Sequence, residues 1–153
     1  MRIRKLQWGL AAVELALMLP IFLLIVTWTA EIGRIMYQHN TLTKSVRDGA
    51  QYLARYGVVA GIVNPTADQK TLARTLIVYG SPVVGSTPLL PGLAPSQITI
   101  TTEVEPPATV ATHVVVSISY PFQPVFGLPG FGIASDGTSS ATLTASMRMR
   151  GLQ

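Results

Sequence analysis

A long apolar run and a helical pattern occupy the N-terminal third of the chain. Residues 10–30 are almost entirely apolar, apart from Glu14, and their number suits a helix crossing a hydrocarbon layer about 30 Å thick. Residues 21–56 contain no proline. Small and apolar residues recur there at helical spacing, namely Leu42, Val46, Gly49, Ala50, Leu53 and Ala54. The pattern predicts one helix over residues 10–56, ended by Gly57.

A second, shorter helix is predicted over residues 67–79. Thr66 and Gln69 have the spacing of a capping box, in which each side chain bonds the other residue's backbone N–H. Gly80 and the proline that follows shortly after it are placed to end the helix. A helix of this length is marginal alone, so it must pack against the rest of the domain. Residues 81–96 are rich in Pro and Gly and predict a loop.

Alternation of apolar and polar residues then predicts three β-strands. The pattern covers residues 97–102, 114–120 and 143–149. We expect Pro121 to end the second strand, and a connection rich in Gly, Pro and Phe to follow over residues 122–137. Each strand has one apolar face, which is typical of an antiparallel sheet covered by helices on one side.

The predicted fold is therefore of the α+β class. A long N-terminal helix, forming a membrane span and a stalk, precedes a short second helix packed on a small antiparallel sheet of three or more strands. We expect a leader at residues 1–9, a transmembrane helix at 10–30, a helical stalk at 31–57 and an exported domain at 58–153.

Charge and cysteine content narrow the possible functions. Arg2, Arg4 and Lys5 account for three of the eleven Lys and Arg residues, so without the leader eight cations would face seven acids. A nearly neutral mature chain gives no reason to expect nucleic-acid binding. Cations before a span stay cytoplasmic, which would place the C-terminal domain in the periplasm. The chain has no cysteine, which excludes disulfides and thiolate metal sites.

No catalytic constellation is visible in the sequence. His39 and His113 lie on different predicted elements, and neither has a carboxylate nearby in sequence. Glu103 and Glu105 lie near a strand end, where we expect them to be solvated. No nucleophile-elbow or nucleotide-binding motif occurs. We therefore predict a protein that is not an enzyme, with no metal, no cofactor and no small-molecule substrate.

Glu14 is the residue that most needs explanation, since a carboxylate in a membrane segment is costly and often functional. A short basic leader, then Gly9, then Glu at the fifth following position resembles the processing site of type IV pilin precursors. The resemblance implies a cut between Gly9 and Leu10 by a prepilin peptidase. Glu14 would then lie one helical turn from the new amine and could pair with that of a neighbouring subunit. The alternative is a carboxylate at the headgroup boundary, where its cost is small.

Three spaced blocks of sequence extend this resemblance. They are Gly9-Leu10-Ala11-Ala12-Val13-Glu14-Leu15-Ala16-Leu17-Met18-Leu19-Pro20, then Glu31-Ile32-Gly33-Arg34 with Tyr37, then Arg47-Asp48-Gly49-Ala50 with Tyr52. Together they resemble TadE-like proteins, which are minor pseudopilins of the tight-adherence (Tad or Flp) pilus system. The chain departs from that pattern at Leu15, where an aromatic residue is usual.

The resemblance gives a structural meaning to the second and third blocks. Glu31 and Arg34 are spaced for a surface ion pair, and we interpret Gly33 and Tyr37 as structural motif residues beside them. For Arg47, Asp48 and Gly49 we favour a structural role, in which the glycine permits close helix packing, over a binding role. These assignments come from the family motif and not from periodicity alone.

The resemblance implies a single-pass inner-membrane protein needed for pilus assembly, and hence for adhesion. Its expected partners are the prepilin peptidase, other pilins and minor pseudopilins, the inner-membrane assembly platform and the lipid bilayer. One alternative is an anchored periplasmic binding or interaction domain that is never processed. Another is a secreted hydrolase behind a cleaved signal peptide, which lacks a good cleavage site and a catalytic cluster.

Overall fold

The structure is a computed structural model that describes residues 3–85, 87–126 and 141–152, with side chains from Gly9 onward. The side chains of the leader cations and most of the predicted 122–137 connection lie outside these residues. The chain divides into two compact units. The first unit comprises Met1–Ile35 and Gln123–Ser140, and the second comprises Met36–Phe122 and Ala141–Gln153.

The predicted α+β class is confirmed. Helix α1 (Ile3–Tyr56) and helix α2 (Ala67–Tyr79) accompany five strands. The strands are β1 (Val58–Val59), β2 (Ile62–Val63), β3 (Ile98–Glu103), β4 (His113–Phe122) and β5 (Ala141–Arg150). Strands β3, β4 and β5 form an antiparallel sheet with β4 in the centre, and β1 and β2 form a separate hairpin.

Helix α1 begins at Ile3, earlier than the predicted start at Leu10, and ends at Tyr56 as predicted. The leader residues before Gly9 are mostly good helix formers, so the helix extends through them. It also continues through Pro20.

The core of the second unit lies between its helices and one face of its sheet. The predicted stripe on α1 is buried there, with Leu42, Ala50 and Leu53 completely inaccessible. The other core side chains come from α2, from the loop after it and from the apolar faces of the strands. They are Val63, Ala73, Ile77, Val78, Leu90, Leu93, Ile98, Val114, Val116, Ile118, Tyr120 and Ala145. Helical cover on one sheet face is the arrangement that the strand alternation predicted.

Two details of the sheet differ from the predictions. Pro121 does not end β4, because the strand runs to Phe122 and Pro121 pairs with Thr142 of β5. The pairing of β3 with β4 stops at Ile118, so β4 beyond that point has a neighbour on one side only, where proline is tolerated. The β1–β2 hairpin was not predicted; Ala60 and Gly61 form its two-residue turn, both with positive φ.

Candidate membrane anchor and its boundary site

The first part of α1 presents a surface that is apolar on all sides apart from Glu14. Residues 9–26 are all exposed, and the segment has a mean hydropathy of 2.5 with none of it buried. A helix that is apolar all round needs an apolar environment to cover it. Thr27 and Thr29 donate their hydroxyls to the carbonyls of Leu23 and Ile25, so their polar groups are satisfied within the helix. Within the described residues, this is the one helix long and apolar enough to cross a membrane.

Gly9 and Glu14 both lie on this exposed surface. The space around Gly9 is open, with no atom within 4 Å of the place where a Cβ would lie. Leu10 and Glu14 are one helical turn apart, about 6 Å along the axis. Among the side chains that the structure describes, none forms a hydrogen bond or an ion pair with the Glu14 carboxylate. Glu14 therefore lies unpaired on an otherwise apolar helix surface.

A buried carboxylate marks the end of the apolar run. The side chain of Glu31 has no exposed surface. Its Oε1 accepts hydrogen bonds from the backbone N–H groups of Val125 (2.7 Å) and Phe126 (2.8 Å). Arg34 lies 3.2 Å from Oε2, and its second guanidinium nitrogen donates to the Gln123 carbonyl at 3.4 Å. All of these residues belong to the first unit, so the site is internal to that unit.

This site corrects one prediction and adds residues that the sequence did not identify. The predicted ion pair between Glu31 and Arg34 is present, but its surface location was wrong because Glu31 is fully buried. The chain that follows β4 covers this carboxylate and supplies its two amide donors. Arg34 follows Glu31 by three positions in sequence, whereas Val125 is 94 residues away. Local spacing therefore revealed the pair but gave no sign of the amides.

The other motif residues fall in contrasting environments. Gly33 is exposed with open space around it, and Tyr37 is exposed as well. Arg47 and Asp48 are exposed on α1. Gly49 is buried, and a Cβ there would come within 2.5 Å of the Ile77 side chain on α2. Gly49 therefore lies where α1 and α2 of the second unit make their close approach.

A groove of about 620 Å³ lies in the second unit beside the third motif block. The C-terminal part of α1 and the end of β5 form it, and its polar lining includes Asp48, Gln51, Arg55 and Arg150. The rings of Tyr52 and Tyr56, which also line it, have centroids 5.1 Å apart. The groove thus combines charged groups of both signs with two aromatic rings.

One polar cluster in the second unit was not predicted. The Nε2 atom of His113 lies 3.0 Å from Glu105 Oε2, and Arg148 contacts both Glu103 and Glu105. The prediction that these two glutamates are only solvated was therefore incomplete, because β3 and β5 pair with opposite sides of β4 and Arg148 of β5 reaches across it to both glutamates. No group of three or more possible metal ligands occurs among the described residues. His39 is exposed on α1 and lies outside this cluster.

The comparison with protein families agrees with the sequence motifs. The family model described as TadE-like protein matches residues 9–51, which contain all three blocks apart from Tyr52. The predicted resemblance to TadE-like proteins is confirmed over this segment, which is less than a third of the chain. The segment is therefore similar to TadE-like proteins, a family associated with the Tad pilus and of a structural, non-enzymatic kind. No curated protein and no solved structure matches the chain.

Proposed function

We propose that this protein is a membrane-anchored minor pseudopilin needed for assembly of a tight-adherence pilus. A prepilin peptidase cuts it between Gly9 and Leu10. Helix α1 then holds it in the inner membrane, with the leader side cytoplasmic and the C-terminal domain periplasmic. Its partners are other pilins and minor pseudopilins, the assembly platform and the lipid bilayer. It is a substrate of the peptidase and carries no catalytic activity of its own.

The single observation that carries the proposal is the unpaired Glu14 on an exposed apolar helix, at the fifth position after Gly9 and within the TadE-like segment. A carboxylate in lipid is stabilised when it gains a cationic partner. The amine freed at Leu10 of a neighbouring subunit is such a partner. A pairing of this kind would favour one axial offset between adjacent helices, since the two groups must meet.

Variants of Glu14 test this role. We expect Glu14→Ala and Glu14→Gln to insert into the membrane normally and to abolish piliation, because neither side chain can form the ion pair. Leu24→Ala is the matched control, since it shortens an exposed side chain of the same helix outside the three motif blocks without removing a charge. The readouts are the membrane fraction by immunoblot and surface pili by electron microscopy. Normal piliation in Glu14→Gln would contradict the ion-pair role.

The groove beside Asp48 and Tyr52 favours a second candidate, an anchored interaction domain that is never processed. Its volume and its mixed polar and aromatic lining suit a peptide segment or a small ligand. Under this candidate function, the leader persists and Glu14 tolerates substitution. Loss of function would then follow from Tyr52→Ala or Arg150→Ala and not from substitution of Glu14. The two candidates therefore assign function to opposite ends of α1.

A further inference from the structure

Glu31 holds two apolar side chains beside the end of the predicted membrane span. Its carboxylate fixes the backbone of Val125 and Phe126 through two short hydrogen bonds. These two residues nevertheless remain 58% and 63% exposed. An apolar pair held by a fully buried carboxylate is a constrained feature and not a loose loop end.

The position of this pair along α1 coincides with the lipid–water boundary that the sequence predicts. Glu31 directly follows the apolar run, and Trp28 lies three residues before it on the same helix. Tryptophan is enriched at membrane interfaces, where its ring meets both lipid and headgroups. Ile32, one residue after Glu31, is also half exposed. Val125 and Phe126 therefore lie beside the end of the exposed apolar surface of α1.

The two hydrogen bonds also make the backbone at Val125 and Phe126 compatible with a bilayer. Backbone outside a helix is costly near hydrocarbon when its N–H groups lack partners. Here the N–H groups of Val125 and Phe126 both have Glu31 as their acceptor. The charge of Glu31 is in turn compensated by Arg34, whose side chain is 38% exposed and so remains in contact with solvent.

We propose that Val125 and Phe126 insert into the interfacial layer of the bilayer and form a second lipid contact beside the transmembrane helix. Glu31 acts as the positioning residue that holds them there. The inference rests on the proposed membrane anchoring by α1 and adds a contact from a segment distant in sequence. The occupant of this apolar surface is the bilayer itself, because the surface adjoins the helix segment that lipid covers.

Site-specific fluorescence in the full-length protein tests this proposal. The chain has no cysteine, so single-cysteine variants can be labelled with a polarity-sensitive fluorophore and reconstituted in phosphatidylcholine–phosphatidylglycerol vesicles. Phe126→Cys probes the turn, and Val125→Cys repeats the test with Phe126 intact. Phe22→Cys is the reference for the span, and Val83→Cys is a matched exposed apolar position of the second unit.

We expect lipids brominated near the headgroup to quench labels at positions 125 and 126 and to shift their emission to the blue. Quenching at position 22 should instead be strongest with lipids brominated deep in the chains, and position 83 should behave as in water. If the label at 22 is quenched but the labels at 125 and 126 are not, this inference is overturned and the proposed anchoring by α1 stands. An unquenched label at 22 would overturn the proposed anchoring. A blue shift at 126 without lipid quenching would indicate a protein partner and also overturn the inference.

The positioning role of Glu31 is tested in the same system. Glu31→Ala removes the acceptor of both amides, so the quenching at position 126 should fall while that at position 22 is unchanged. Glu31→Gln keeps an acceptor oxygen and should retain more of the quenching. Glu103→Ala, which removes a half-exposed carboxylate elsewhere, is the control and should have no effect. Equal quenching in Glu31→Ala and the unsubstituted protein would overturn the positioning role.

Discussion

Two glycines of helix α1 have opposite surroundings although both lie in motif blocks. A Cβ at Gly49 would lie 2.5 Å from Cγ1 and Cδ1 of Ile77, whereas nothing lies within 4 Å of a Cβ at Gly33. Helical glycine usually costs stability relative to alanine, because it loses more backbone freedom on folding. At Gly49 that cost is offset by the close approach of α2, and at Gly33 no contact of the described residues offsets it.

We expect Gly49→Ala to destabilise the protein by about 1–3 kcal/mol, because the added methyl must displace a buried side chain. Gly33→Ala is the matched control, and it should cause no loss because its methyl has space and alanine favours the helix. Urea denaturation of the full chain in detergent micelles, followed by circular dichroism, measures both. Similar losses in the two variants would contradict the packing role assigned to Gly49.

Only part of the Glu31 site could be predicted from the sequence. The ion pair of Glu31 and Arg34 follows from helical spacing, since residues three apart are neighbours on a helix. The burial of Glu31 does not, because its cover comes from Val125 and Phe126, more than 90 residues away. A contact across that distance leaves no periodic pattern in the chain.

At the scale of the element, helix α2 has the bounds and the caps that the sequence predicted. The predicted bounds 67–79 agree with Ala67–Tyr79. Thr66 and Gln69 form both hydrogen bonds of the capping box, and Gly80 ends the helix in the left-handed conformation. The Gln69 amide also donates to the Tyr56 carbonyl at 2.6 Å. This last bond connects the start of α2 with the end of α1, so one side chain serves both helices.

We expect Thr66→Ala to destabilise the protein by about 1 kcal/mol, because the Gln69 N–H loses its acceptor. Thr71→Ala is the control in the same helix. Its exposed hydroxyl donates to the Ala67 carbonyl within the same helix, and alanine has the higher helix propensity. Thermal unfolding of the two variants side by side gives the comparison. A loss in Thr71→Ala as large as that in Thr66→Ala would show that capping is not the cause.

The three strands of the larger sheet and their antiparallel arrangement were predictable, but not every strand limit and not the separate hairpin. Alternation identified β3, β4 and β5, since one face of each packs on the core. Pro121 was expected to stop β4, but the end of β3 pairing at Ile118 leaves that part of the strand with a single neighbour. The β1–β2 hairpin was missed because its turn uses Ala60 with a positive φ. Alanine seldom adopts this conformation, so its presence in the sequence did not indicate a turn.

At the scale of the whole molecule, the sequence indicated a membrane segment followed by a small α+β domain. The apolar run was predictable because its length and composition are properties of consecutive residues. The core positions of the second unit were predictable from the periodicity within each element. The groove between α1 and β5 was not predictable in this way. That groove depends on the last strand returning beside the helix, with the Leu152 N–H donating to the Ala54 carbonyl at 2.9 Å.

The mature N-terminus is the most direct test of the central claim, that the chain is processed as a pilin and anchored by α1. Protein purified from its native membrane, with the prepilin peptidase present, is analysed by intact mass and N-terminal peptide mass spectrometry. We predict a chain that begins at Leu10. A Gly9→Val variant should keep its leader, whereas Gly33→Ala should be processed normally. A leader still attached to the unsubstituted protein would contradict the pseudopilin account and favour the unprocessed interaction domain.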